Sequence, residues 1–157
     1  MAESAAHYNL KRRRAAATGE IVMKFEDYFA INNLLGQYAH VMDNGSRGLT
    51  PWQDLGLIFT QNAVFDFTAA GGGVADGLDA IIEVMSGGNH PAGHHFTNPV
   101  IDAVDADHVT SLTKLVSIEK NGQANTGHYF DHIIRTGDGW RISNRTAVVY
   151  FAVPKDG

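Results

Sequence analysis

Ala92-Gly93-His94-His95-Phe96-Thr97-Asn98-Pro99-Val100 decides the fold. Two adjacent histidines leave a Pro- and Gly-containing loop and enter an alternating run of strand character. In a strand, successive side chains point to opposite faces, so one imidazole looks into a core while its neighbour looks out. An inward imidazole is costly to bury unless a partner satisfies it. The candidate partner is Asp43, much earlier in the chain.

From this stretch onward the pattern is all strand. Phe96 to Ala103 forms the first, turning near Asp105-Ala106-Asp107, and His108 to Lys120 the second. Asn121-Gly122 then gives the strongest short-range hairpin signal. Gln123 to Arg135 follows, turned by Gly137-Asp138-Gly139, and Trp140 to Val153 is stopped by Pro154. Successive hairpins predict an antiparallel meander.

Upstream the period changes. Ile31, Leu34, Leu35, Tyr38, Val41 and Met42 recur at helical steps between Phe25 and about Asp43. Asp43-Asn44-Gly45-Ser46 ends the helix, with Asn44 or Gly45 suited to the left-handed terminating conformation. Thr50-Pro51-Trp52 opens a second helix, with Thr50 as cap and Pro51 at the first helical position; its buried stripe is Trp52, Leu55, Ile58 and Phe59. Ala63 to Thr68 reads as a strand with Phe65 and Phe67 on one face, Val74 to Gly77 as a short return, and Leu78 to Met85 as a third helix. Gly71-Gly72-Gly73 is no phosphate loop, since no Lys-Ser/Thr follows it. The fold class is α+β, a strongly curved antiparallel sheet closed by three N-terminal helices.

The chain has 157 residues, enough for one domain with a sizeable core. A net charge of −5 argues against nucleic acid as a partner. The one basic cluster, Lys11 to Arg14, falls in residues 1–22, read as a flexible leader before a single domain over 23–157. The absence of cysteine excludes disulfides and thiolate chemistry. No apolar run approaches the ~20 residues of a membrane span, and no apolar signal region follows the arginines, so a cytoplasmic protein is expected.

Asp43 is misplaced for stability, because a carboxylate in the last helical turn meets the negative end of the dipole at a cost of ~0.3–1 kcal/mol. An Asx-turn accounts for it in one reading, and a partner histidine in another. A carboxylate on one ring nitrogen fixes the tautomer and stabilises the imidazolium that forms. With no Gly-x-Ser-x-Gly and no cysteine, such a dyad suits proton abstraction: elimination, isomerisation or cyclisation. Tyr38, on the same helix, offers a phenol as donor or is a core residue of the stripe. In Gly127-His128-Tyr129-Phe130-Asp131-His132, alternation places His128 and Phe130 on one face and Tyr129 and Asp131 on the other, without saying which is the core. Eight histidines invite a metal reading, but His-x-His and His-Glu-x-x-His spacings are missing, so neither metal nor cofactor is expected.

The element order resembles the SnoaL-like branch of the nuclear transport factor 2-like superfamily, a cone-shaped α+β barrel. The marks are Ile31-x-x-Leu34-Leu35-x-x-Tyr38-x-x-x-x-Asp43, Phe59-Thr60-x-x-Ala63-Val64-Phe65, His94-His95-Phe96-Thr97-Asn98, and Gly127-x-Tyr129-x-Asp131 leading to Arg135-Thr136-x-x-Gly139-Trp140. Within that branch the chain is similar to the relatives of scytalone dehydratase and lindane dehydrochlorinase. The resemblance implies a His–Asp dyad at His94 and Asp43, a second barrel histidine at His128, and a pocket-lining arginine at Arg145. A departure is Tyr38, where the dehydrochlorinase has a lysine.

The function expected is a cofactor-free lyase or isomerase acting on a small hydrophobic, oxygenated molecule. His94, Asp43, Tyr38 and His128 would be its catalytic residues, and Arg145, Trp52, Phe65 and Phe130 its substrate contacts. A polyketide-type cyclase and a non-catalytic binding module are the alternatives. The resemblance also implies a homodimer or homotrimer built through the sheet.

Overall fold

The apolar steps of the first helix bury Ile31, Leu34, Leu35, Tyr38 and Met42 along one side of α1 (Phe25–Ser46). A computed structural model describes residues 23–150; the leader and the end of the last expected strand lie outside the described residues. The helix runs to Ser46, beyond Asp43, and Gly48 takes the left-handed conformation with φ 69°. Gly45 stays within the helix, and the Trp52 ring packs on it: a Cβ there would lie 3.0 Å from the ring.

The second expected helix is a 3-10 turn, Trp52–Leu57, preceded by Pro51 in extended conformation. The strand β1 (Phe59–Asp66) starts earlier than expected, taking over Phe59. That leaves six residues for the turn, room for i→i+3 bonds such as Ile58 N–H to Leu55 O at 3.0 Å. A glycine turn leads to β2 (Val74–Asp76), then α2 (Leu78–Gly87). Four long strands follow: β3 (Gly93–Ala103), β4 (His108–Ile118), β5 (Ala124–Thr136) and β6 (Gly139–Tyr150).

The sheet order is β2-β1-β6-β5-β4-β3. The meander β3 to β6 is antiparallel as expected, but β1 joins β6 in parallel, so the sheet is mixed. The cone stays open between its edge strands β2 and β3. On β4 and β5 the odd positions point inward: Val109, Ser111, Thr113, Leu115 and Ser117 face Tyr129, Asp131 and Ile133 within the core.

Two bulges change that parity and turn the sheet around the helices. On β3, Thr97 pairs with Lys114 and Val100 with Leu112, so Asn98-Pro99 face a single residue, with Asn98 at φ 51°. On β6, His132 pairs with Asn144 and Ile133 with Ile142, leaving Ser143 as the extra residue. Trp140 and Ile142 are therefore inward before the bulge, and Arg145 and Ala147 after it. Gly127 is inward on β5, where a Cβ would lie 2.2 Å from the Val148 carbonyl oxygen. The Trp140 indole N–H donates to Asp27 Oδ1 at 3.2 Å, tying the start of α1 to the sheet.

Candidate functional site

The end of α1 meets the start of β3 through two contacts. Arg47 Nη2 donates to the Ala92 carbonyl at 2.6 Å. One turn earlier, Asp43 receives His94 twice. The backbone N–H of His94 donates to Oδ1 and Oδ2 at 3.1 and 3.2 Å, and ring Nδ1 lies 2.7 Å from Oδ1. These N–H groups offset the unfavourable position of a carboxylate at a helix C-terminus. The imidazole is 7% exposed and the carboxylate 18%, so the pair is shielded yet reachable.

Asp43 holds the Nδ1–H tautomer, which leaves Nε2 of His94 as the basic nitrogen toward the cavity that the ring lines. Burial pulls the His94 pKa below its ordinary value of 6.5, against the Asp43 hydrogen bond and charge, which raise it. The ring is thus neutral at pH 7 and able to accept a proton.

The cavity between the sheet and the helices has a volume of about 550 Å³, within the range of small-molecule sites. Phe65, Tyr38 and Tyr129 line it with His94, and Met42 and Met85 complete the apolar wall. Burial raises the pKa of Tyr38 against the opposing pull of the Arg145 guanidinium. Tyr129 is pushed further up by burial, and both phenols stay protonated donors.

Arg145 does not line this cavity. It lies beneath the floor, 1% exposed, with Nε and Nη2 donating to Asp131 Oδ1 and Oδ2 at 2.7 and 2.9 Å. Its Cζ sits 4.1 Å from the Tyr38 ring centroid and 4.3 Å from that of Tyr129. Nη1 has no hydrogen-bond acceptor among the described residues, and ring faces cover the guanidinium instead. Burial works against its charge, but Asp131 and the two phenols outweigh it and raise the pKa.

Three other expected residues also lie away from the cavity. His128 and Phe130 are at even positions of β5 and point to the outer face of the sheet, where His128 packs on Tyr150 with ring centroids 5.9 Å apart. Trp52 stands one layer back, its ring 5.3 Å from that of His90.

His90, which no sequence signal marks as a site residue, lines the cavity, 6.4 Å between ring centroids from His94. Its Nε2 is bonded to the Met85 carbonyl. Ser117, Glu119 and Asn125 line the cavity too. Their signal was the Asn121-Gly122 turn, which fixes Ser117 opposite Asn125 once the inner parity is known. Among the described residues no three His, Asp or Glu side chains gather as a metal site.

A curved sheet cupping a cavity, with a part-buried His94–Asp43 pair that puts His94 in its wall, defines an α+β cone of known kind. The SnoaL-like domain model matches residues 23–146, and the chain belongs to the SnoaL-like family of the nuclear transport factor 2-like superfamily. Comparison with curated proteins finds no match.

Among solved structures, a candidate aromatic ring hydroxylase from Novosphingobium aromaticivorans is 27% identical, with a TM-score of 0.69 over 85% of this chain and 94% of that one. A candidate scytalone dehydratase from the same organism is 21% identical, with a TM-score of 0.64 over 80% and 85%. A hexachlorocyclohexane dehydrochlorinase, LinA type 2, is 16% identical, with a TM-score of 0.61 over 83% and 95%. At these identities the last two likenesses are of fold. No described helix is long and apolar enough to cross a membrane.

Proposed function

We propose that this protein is a lyase or isomerase that removes a proton from carbon without a cofactor, with His94 as the general base. The observation that carries this reading is the 2.7 Å contact between His94 Nδ1 and Asp43 in the wall of a cavity large enough for a small cyclic molecule. The family supports it, since its fold neighbours include a candidate dehydratase and a dehydrochlorinase.

Nε2 takes the proton from a carbon next to a carbonyl. Asp43 stabilises the imidazolium, and the electron pair of the broken C–H bond moves into the enolate. Tyr38, with Tyr129 beside it, donates a hydrogen bond to the enolate oxygen. In elimination, that electron pair forms the new C=C bond as the C–O bond to a neighbouring hydroxyl breaks. The imidazolium returns its proton to the departing oxygen, which leaves as water. In isomerisation, the proton returns to a different carbon. Both routes restore the neutral dyad.

Activity of His94→Ala and Asp43→Asn on a panel of hydroxylated cyclic ketones tests the reading. Each substitution is expected to lower kcat/KM by about 10²–10⁴-fold, the usual worth of a general base. Unchanged turnover in both variants would refute it.

A further inference from the structure

The turn end of the β4–β5 hairpin brings the polar side chains Ser117, Glu119 and Asn125 to the cavity, whereas Phe65, Phe67, Met42 and Met85 supply apolar wall. Ser117 and Asn125 pair across the ladder and are 4% and 2% exposed. Glu119 follows the end of β4, half-buried, and lines the same cavity. The turn fixes it in place: the Glu119 N–H donates to the Gln123 carbonyl at 2.8 Å, and the Gly122 N–H donates to the Glu119 carbonyl at 2.8 Å. Asn125 Nδ2 donates to Glu119 Oε1 at 2.8 Å, which aims the carboxylate from a buried amide.

Among the described residues this acid has no Lys or Arg beside it inside the cavity. Lys120, next in the chain, donates instead to Asn89 Oδ1 at 2.9 Å. Arg145 is engaged by Asp131 beneath the floor. Among the described residues no Lys or Arg lines the cavity. A carboxylate offers about four acceptor positions, and the Asn125 bond occupies one. A ligand that fills the cavity strips water from the rest, so it binds well only if it brings a donor. A second anion there meets the repulsion of Glu119, with no Lys or Arg among the described lining residues to offset it.

We propose that Glu119 determines specificity in this cavity, accepting a hydrogen bond from a hydroxyl of a neutral cyclic substrate and excluding anionic ones. The inference rests on the proposed function only in taking the cavity as the substrate site, and it names the class of molecule held there. Glu119 has a second effect. Its charge, with that of Asp43, raises the His94 pKa, while His90 lowers it. These three groups, from the hairpin, α1 and the loop after α2, face the ring.

Calorimetric titration with three ligands of one shape, a hydroxyindanone, its methoxy ether and its carboxy analogue, tests the proposal. The wild type is expected to bind the hydroxyl compound about tenfold or more tightly than the ether, the scale of a charge-assisted hydrogen bond, and to reject the carboxylate. Glu119→Gln should remove the preference, weakening the hydroxyl compound and strengthening the ether, and should admit the carboxylate. Glu119→Asp should restore part of the preference.

The acidic limb of any activity profile should move to lower pH in Glu119→Gln, a shift that a structural role would not produce. Equal affinities for the three ligands, equal selectivity in wild type and Glu119→Gln, or no binding of any of them would overturn the proposal. The titrations need no turnover. Glu119-dependent selectivity in an inert protein would sink the catalytic reading alone. Turnover that depends on His94 without a Glu119 effect would sink this one alone.

Discussion

Asp43 is placed where a helix gains least from a carboxylate, and three N–H contacts from His94 hold it there. The two residues therefore support each other: the acid is offset by the strand, and the imidazole is fixed by the acid. Burial lowers the His94 pKa and Asp43 raises it, so removing the carboxylate removes only the raising influence. His94 is expected to titrate below 6.5 in the wild type, and lower still in Asp43→Asn. Histidine side-chain NMR across a pH series reads both values directly; a higher value in the variant would contradict the geometry. At this scale the sequence was informative because the two misfits, an inward histidine and an acid at a helix end, were each visible alone. His128 was not resolved by the same reasoning. Tyr129 and Phe130 put an aromatic ring on each face of β5, so alternation did not rank the faces.

Among the elements, β6 shows most clearly how local geometry places chemistry. Without the extra residue at Ser143, Arg145 would follow the parity of Ile142 and point outward. The bulge turns it inward onto Asp131, whose carboxylate also accepts from Ser111 Oγ at 3.3 Å. Asp131→Asn leaves a guanidinium buried without its counter-charge. That is expected to cost about 3–5 kcal/mol, measured as a lower urea midpoint at unchanged slope. A loss under about 1 kcal/mol would mean that the ring faces alone sustain the charge. The hairpins were legible because Asn121-Gly122 and Gly137-Asp138-Gly139 are local signals. The parallel pairing of β1 with β6 was not, since strands joined across most of the chain leave no turn residue to announce them. The short turn after Pro51 misled for a related reason: its cap residues suit an α-helix, but β1 takes over at Phe59 before one can form.

For the molecule as a whole, the cone concentrates its apolar residues between sheet and helices and leaves one cavity wall polar. The fold was legible from the helical steps of Ile31 to Met42 and the alternation after His94. The cavity was legible only in part, because its polar wall depends on which parity faces inward. A fold shared by many functions does not itself assign one; the assignment rests on the dyad and the cavity it lines. The most direct test is the fate of deuterium placed next to the carbonyl of a ketone that the protein converts. The expected result is a primary isotope effect on kcat/KM, loss of the label from its original carbon (to water in elimination, to water or the second carbon in isomerisation), and conversion by His94→Ala slowed about 10²-fold or more. Conversion with the label still on its original carbon, or at the wild-type rate in His94→Ala, would contradict it.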